Sequence, residues 1–239
     1  MFYHSGGVAS ADLIYLILLI PVMILSVWAQ AQVSGNFRKY SQVRCARGMT
    51  GREAAEAVLR AHHVSGVGIR PCAGSLTDQY NPQDNCIYLS EPVYNVATVA
   101  AVGVACHEAG HAVQYAENYA PVRLRSAIIP ATQFGSQASF LFLFLGIILY
   151  FQPLLFIGIV LFSLTTFFQL VTLPVEFDAS RRAVQTIETS GLLSETETDG
   201  AKKVLRAAAL TYVAALLMSA LQLLRYVLIF MARDRRGRR

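Results

Sequence analysis

Charge is scarce in this chain. Only 15% of its 239 residues are Asp, Glu, Lys or Arg, against about 25% in an average soluble domain. Hydrophobic residues reach 54%, so a membrane setting is the first expectation. Residues 1–10 hold no Lys or Arg, and residues 127–175 hold no charged side chain of either sign. The first absence argues against a cleaved signal peptide, which needs a basic start. The second argues against a transporter or channel, whose spans normally carry ionisable groups. No basic run is interleaved with aromatics, and the net charge is only +5, which excludes nucleic acid as the expected partner. The four cysteines, Cys45, Cys72, Cys86 and Cys106, include no C-x-x-C pair, so a structural zinc ribbon is excluded as well. Reduced thiols are expected, with a Cys72–Cys86 bridge as the alternative in an oxidising compartment. Repeats and low-complexity linkers are lacking too.

What the chain does have is long apolar runs. Residues 11–33 are apolar apart from Asp12, Gln30 and Gln32, long enough to cross a hydrocarbon core. Runs at 128–151 and 154–175 are separated by little more than Gln152-Pro153, and a last run spans about 204–232 before the basic tail RDRRGRR. The fold class expected is mainly α, an integral membrane helical protein with a small α+β insertion. The divisions are 1–33, an N-terminal transmembrane helix; 34–126, a cytoplasmic segment; 127–175, a transmembrane hairpin; 176–203, a helix and loop; and 204–239, a C-terminal membrane segment with its tail. Segments 34–126 and 176–206 hold fourteen of the twenty Lys and Arg, which by the positive-inside rule puts them in the cytoplasm. Four spans would leave the arginine-rich tail outside, so Arg225 marks the last run as a candidate re-entrant or interfacial element.

Within 34–126, Thr50 and Glu53 have the spacing of a capping box opening the helix EAAEAVLRAHH. His62 and His63 end that helix, where their charge suits the dipole, and His4 sits in the N-terminal tail. Residues 67–90 lose the helical period and read as a small hairpin or sheet. Residues 91–119 read as a helix. The segment 85–91, NCIYLSE, is either an ordinary supporting strand or an edge able to pair with an extended peptide.

The helix carries HEAGH, residues 107–111. Positions i and i+4 share a helical face, so His107 and His111 can offer two imidazoles to one metal ion, with Glu108 placed as general base. Such a motif also arises by chance as solvated histidines. Here it sits on an otherwise apolar helix, where three such groups call for a compensating ion. A catalytic zinc has three protein ligands and an open position. Glu176, the first carboxylate after Glu117, directly follows the apolar hairpin and opens the helical pattern EFDASRRAV. It is the leading third-ligand candidate, the alternative being an interfacial glutamate paired with Arg181 or Arg182. Asp178 and Ser180 are both candidates for orienting a ligand imidazole. Asp78, Tyr80, Arg123 and Arg125 surround the region; a structural role is expected for each, with steadying of an oxyanion by one of them as the alternative.

Four blocks together, LTDQYNPQDNCIYLSEPVY, HEAGHAVQ, LPVEFDASRRA and AKKVLRAAALTYVAALL, resemble the YugP-like neutral zinc metallopeptidases of bacterial membranes, in that family's order and across about residues 50–228. The resemblance implies a gluzincin site with Zn2+ held by His107, His111 and Glu176 and with Glu108 as base. It implies a membrane-bound zinc endopeptidase of the bacterial cell membrane, and the cytoplasmic placement of the site-bearing segments makes peptides or membrane-protein segments at that face the expected substrates. The block EFDAS is also similar to the E-x-x-x-D helix of the HtpX and CAAX-protease group, whose final Asp supports a ligand histidine. Ser180 stands at that position here, with Asp178 as the substitute. A non-catalytic zinc-binding membrane scaffold or adaptor is the rival reading, and predicts a closed four-ligand site.

Overall fold

The computed structural model describes residues 6–237, so His4 lies outside the described residues. They form seven helices and three strands: α1 Gly6–Tyr40, α2 Gly51–Ala61, β1 Gly68–Cys72, β2 Gln79–Asn81, β3 Cys86–Ser90, α3 Glu91–Tyr94, α4 Val99–Ala116, α5 Ala120–Ile148, α6 Gln152–Thr189 and α7 Glu195–Gly237. The protein is mainly α with a small α+β part, as composition and periodicity predict.

Four of the helices, α1, α5, α6 and α7, are long and apolar enough to cross a membrane. α1, α6 and α7 outrun the expected apolar segments at both ends, whereas α5 starts earlier than expected, at Ala120, and stops at Ile148. α1 continues past residue 33 to Tyr40, and α6 is a single helix through residue 189, so Glu176 lies inside it rather than at a new start. Pro174 forgoes only its bond to the Leu170 carbonyl, and the polar residues beyond it keep the helical period. α7 begins at Glu195 and runs unbroken past Arg225, with no helix break of the kind a re-entrant turn requires. Its start is capped by Ser194, whose Oγ accepts from the Glu197 amide while Glu197 accepts from the Ser194 amide.

The chain divides into two compact units. One comprises residues 1–28, 124–172 and 212–239. Its small interior gathers Leu143, Leu155 and Ile229, and Gly146 and Gly158 let α5 and α6 touch backbone to side chain. A Cβ at Gly146 would lie 2.5 Å from the Leu155 nitrogen, and one at Gly158 would lie 2.7 Å from Leu143. Close approach through small residues is the usual way membrane helices pack.

The other unit comprises residues 29–123 and 173–211. α2 starts where the capping box predicts: the Thr50 amide donates to Glu53 Oε2 at 2.8 Å, and the Glu53 amide donates to Thr50 Oγ1 at 3.3 Å. Ala54, Ala55, Val58 and Leu59 form its buried face, which packs on α4, each large side chain contributing about 1.5–3 kcal/mol. The expected helix at 91–119 is broken into α3 and α4, because Thr98 turns the chain and caps α4 through the Ala101 amide. The sheet order is β1-β3-β2, with β3 parallel to β1 and antiparallel to β2. β3 is therefore the central strand, which rules out residues 85–91 as a free edge. Its burial on nearly every residue is what a strand paired on both sides requires. All four cysteines are free, and burial pushes the Cys106 thiol up, which suits a packing residue and not a nucleophile.

Candidate metal centre

α4 supplies His107, Glu108 and His111 on consecutive turns, and α6 supplies Glu176. The crossing of the two helices is set by Gly110. A Cβ there would lie 2.8 Å from the Ala179 carbonyl oxygen, so only glycine allows α6 this close. The consequence is convergence: His107 Nε2 lies 3.3 Å and His111 Nε2 3.6 Å from Glu176 Oε2, and one ligand atom from each residue lies within 4.8 Å of the others.

Those distances fit zinc. Zn–N and Zn–O bonds of about 2.0–2.1 Å at tetrahedral angles put neighbouring ligand atoms about 3.3 Å apart. The hydrogen bonds behind the imidazoles make the same point chemically. Gln114 donates both amide hydrogens, to the Val175 carbonyl at 2.8 Å and to Asp178 Oδ2 at 2.9 Å. Its oxygen, 3.1 Å from His111 Nδ1, therefore accepts from an Nδ1–H, which leaves the neutral ring's lone pair on Nε2 facing the cluster. Ser180 Oγ stands 3.1 Å from His107 Nδ1 and can orient that ring in the same way. Imidazole lone pairs and a carboxylate oxygen directed at one point repel unless a cation lies among them. His111, Glu108 and Glu176 are all buried. Burial alone would lower the His111 pKa, but the Glu176 and Glu108 carboxylates and Gln114 together outweigh it and the net shift is upward, a sign of the same demand for positive charge.

Glu108 is anchored by the sheet. One carboxylate oxygen accepts the Tyr80 amide of β2 at 2.9 Å, and burial raises its pKa above the usual carboxylate range, opposed by the two histidines. A carboxylate held by a backbone donor, with its pKa raised by burial, is suited to accepting a proton. Asp78 starts β2 by accepting from the Ser90 amide and hydroxyl at 2.7 and 3.0 Å, and so fixes the strand that holds Glu108.

Asp178 does not touch a histidine. It is salt-bridged to Arg181 and Arg182, with Arg182 continuing to Glu117, and it reaches His111 only through Gln114. Both orienting candidates are thus in place, Ser180 directly and Asp178 at one remove. Glu176 pairs with both histidines. His62 does not close its helix end with its ring. That ring bridges Glu117 at 3.5 Å and Thr186 Oγ1 at 3.2 Å. Gln114 and the Tyr80 amide escape sequence reasoning. Gln114 stands three residues after His111, on the same face, and that spacing was the available signal; a backbone amide leaves none.

The chain matches the family described as "Putative neutral zinc metallopeptidase" over residues 15–231. It is also 45% identical, over 219 residues, to the "Putative membrane protease YugP" of Bacillus subtilis (strain 168), an alignment covering 92% of this chain and 97% of the relative. No solved structure matches it. With a site fitted to zinc and a match running nearly end to end, the chain belongs to this family of neutral zinc metallopeptidases.

Proposed function

We propose that the protein is a membrane-bound endopeptidase of the gluzincin type, with zinc held by His107, His111 and Glu176 and with Glu108 as the general base. The observation that carries this reading is the convergence of both Nε2 atoms on one Glu176 oxygen, with Glu108 beside them and held by the Tyr80 amide. Bound zinc would supply a Lewis acid for the peptide carbonyl and lower the pKa of water to about 7. Gln114 and Ser180 hold the two rings, so that the metal-facing nitrogens need no reorientation. Glu108 takes the proton of the attacking water and returns it to the leaving amide nitrogen. Its raised pKa makes it a stronger base toward the attacking water than an ordinary carboxylate.

Substrates on this reading are peptides or membrane-protein segments. The site-bearing segments hold fourteen of twenty Lys and Arg, which supports a cytoplasmic site in a bacterial cell membrane.

The test is zinc content and cleavage of casein or membrane peptides by the wild-type protein and by Glu108→Gln and Glu176→Ala. Glu108→Gln should keep the metal and lose activity by about 10²–10⁴-fold, and Glu176→Ala should lose much of both. Wild-type activity in Glu108→Gln would sink the mechanism. Stoichiometric zinc with no cleavage by any form would favour the scaffold.

A further inference from the structure

α6 and α7 part beside the metal cluster to form a groove of about 570 Å³, within the range of small-ligand sites. Its exposed surface is mostly apolar, with Phe177, Val184, Leu205 and Leu210 contributing, while Arg181, Lys202 and Arg206 supply positive charge against the single carboxylate of Glu188. Two features distinguish it from an incidental crevice. Ser180 lines the groove and also stands 3.1 Å from His107 Nδ1, so an occupant is one side chain from the cluster. Phe177, next in sequence to Glu176, leaves 47% of its surface uncovered.

The charges are unequally matched. Arg181 pairs with Asp178, and Lys202 pairs with Glu188 and Asp199. Arg206 makes no ion pair among the described residues and follows Lys202 by one helical turn, an arrangement in which like charges repel. An anionic group supplied from outside would relieve that repulsion.

We propose that this groove is a substrate subsite which takes an apolar peptide segment carrying a carboxylate side chain, the carboxylate meeting Arg206. The proposal rests on the peptidase reading above, and names its substrate class: apolar segments with an acidic residue. The wall shared with His107 favours a peptide over an anionic lipid, since a lipid gains nothing from standing beside the cluster.

Two fluorescent leucine-rich peptides differing only by Glu or Lys at one position provide the test. Their binding by anisotropy, and their kcat/KM, are measured with the full-length zinc-loaded protein in neutral detergent. The wild type should favour the Glu peptide by about fivefold, the scale of an exposed ion pair, and Arg206→Glu should reverse the preference. A reversal cannot come from misfolding. Val184→Trp, which narrows the groove, should weaken both peptides alike with zinc content unchanged. An unchanged Glu/Lys ratio in Arg206→Glu overturns the proposal. Displacement by phosphatidylglycerol without any Arg206-dependent peptide preference also overturns it, and assigns the groove to lipid. Cleavage with an unaffected ratio sinks the subsite and leaves the peptidase standing; binding that reverses without cleavage by any form does the opposite.

Discussion

α4 and α5 are adjacent in sequence and both are dominated by apolar residues, yet they meet opposite fates. Fourteen of the eighteen residues of α4 are buried by protein, whereas only 22% of the most apolar stretch of α5 is. On α4 the inward face is made of Ala, Gly, Val and Cys, and it admits His111, Glu108 and Gln114 because every one of them finds a partner. On α5, Phe140, Leu141, Phe144 and Ile148 point away from the protein. The same contrast holds between the two units. In residues 29–123 and 173–211 an apolar core surrounds a buried polar network. In the other unit many large side chains are outside, and α1 meets α7 through polar contacts: Tyr15 donates to Gln222 at 2.6 Å and Arg225 stacks on Tyr15, while Gln222 donates within α7 to Tyr226 at 2.8 Å. Hydrophobicity alone does not decide burial; the solvent each helix is built for does.

The sharpest way to break that contrast is a charge on the outward face of α5. Phe140 is 73% exposed and sits near the middle of the apolar run at 128–151. In water, Phe140→Asp would be harmless; in a bilayer it costs about 3 kcal/mol of insertion free energy. Leu76→Asp in the other unit is the control. Leu76 is 48% exposed and has φ 59°, a conformation that Asp tolerates better than Leu, so its effect should stay within about 0.5 kcal/mol. Membrane-insertion efficiency of the two variants checks both, and equal efficiencies would mean α5 does not face lipid.

A second, smaller effect probes the buried polar network. Gln114→Leu fills the same space but cannot hold the Nδ1–H of His111, so zinc affinity by chelator competition should fall about 10–100-fold with the helical content retained. Unchanged affinity would reduce the network to packing.

The smallest effect is one of pH. Burial raises the Asp78 carboxyl above its ordinary value, against the two hydrogen bonds from Ser90. The folded state therefore favours the protonated form, and the Asp78 contribution to stability is fully present below its unfolded pKa and is lost as pH rises through the folded one. Asp78→Asn keeps an acceptor for the Ser90 amide without the charge. Its thermal stability should exceed wild type near neutral pH by less than about 1 kcal/mol, and the gain should vanish on acidification. A gain that grows as pH falls would reverse the sign and sink the assignment.

Much of this was legible from local pattern. The capping box at Thr50, the apolar runs and the two histidines one turn apart depend on spacing along a single helix, which a sequence displays directly. The helix ends were less legible. The apolar period stops near residue 175 although α6 does not, because an amphipathic continuation carries no breaker, and Thr98 divides the 91–119 segment through a cap that composition masks. The centrality of β3 was hidden for another reason: edge and centre are properties of pairing, and β1 reaches β3 across the intervening β2.

The sequence by itself determined the chemistry on offer: two imidazoles and a carboxylate on one turn of an apolar helix, and four segments suited to lipid. Only the tertiary structure decided which groups meet that chemistry. Gly110 against Ala179 brings Glu176 to the histidines across more than sixty residues, and the same crossing sets Ser180 behind His107 and couples Gln114 to Asp178. Helical periodicity is fixed within a turn, whereas the partner across a helix crossing depends on how closely two backbones can approach.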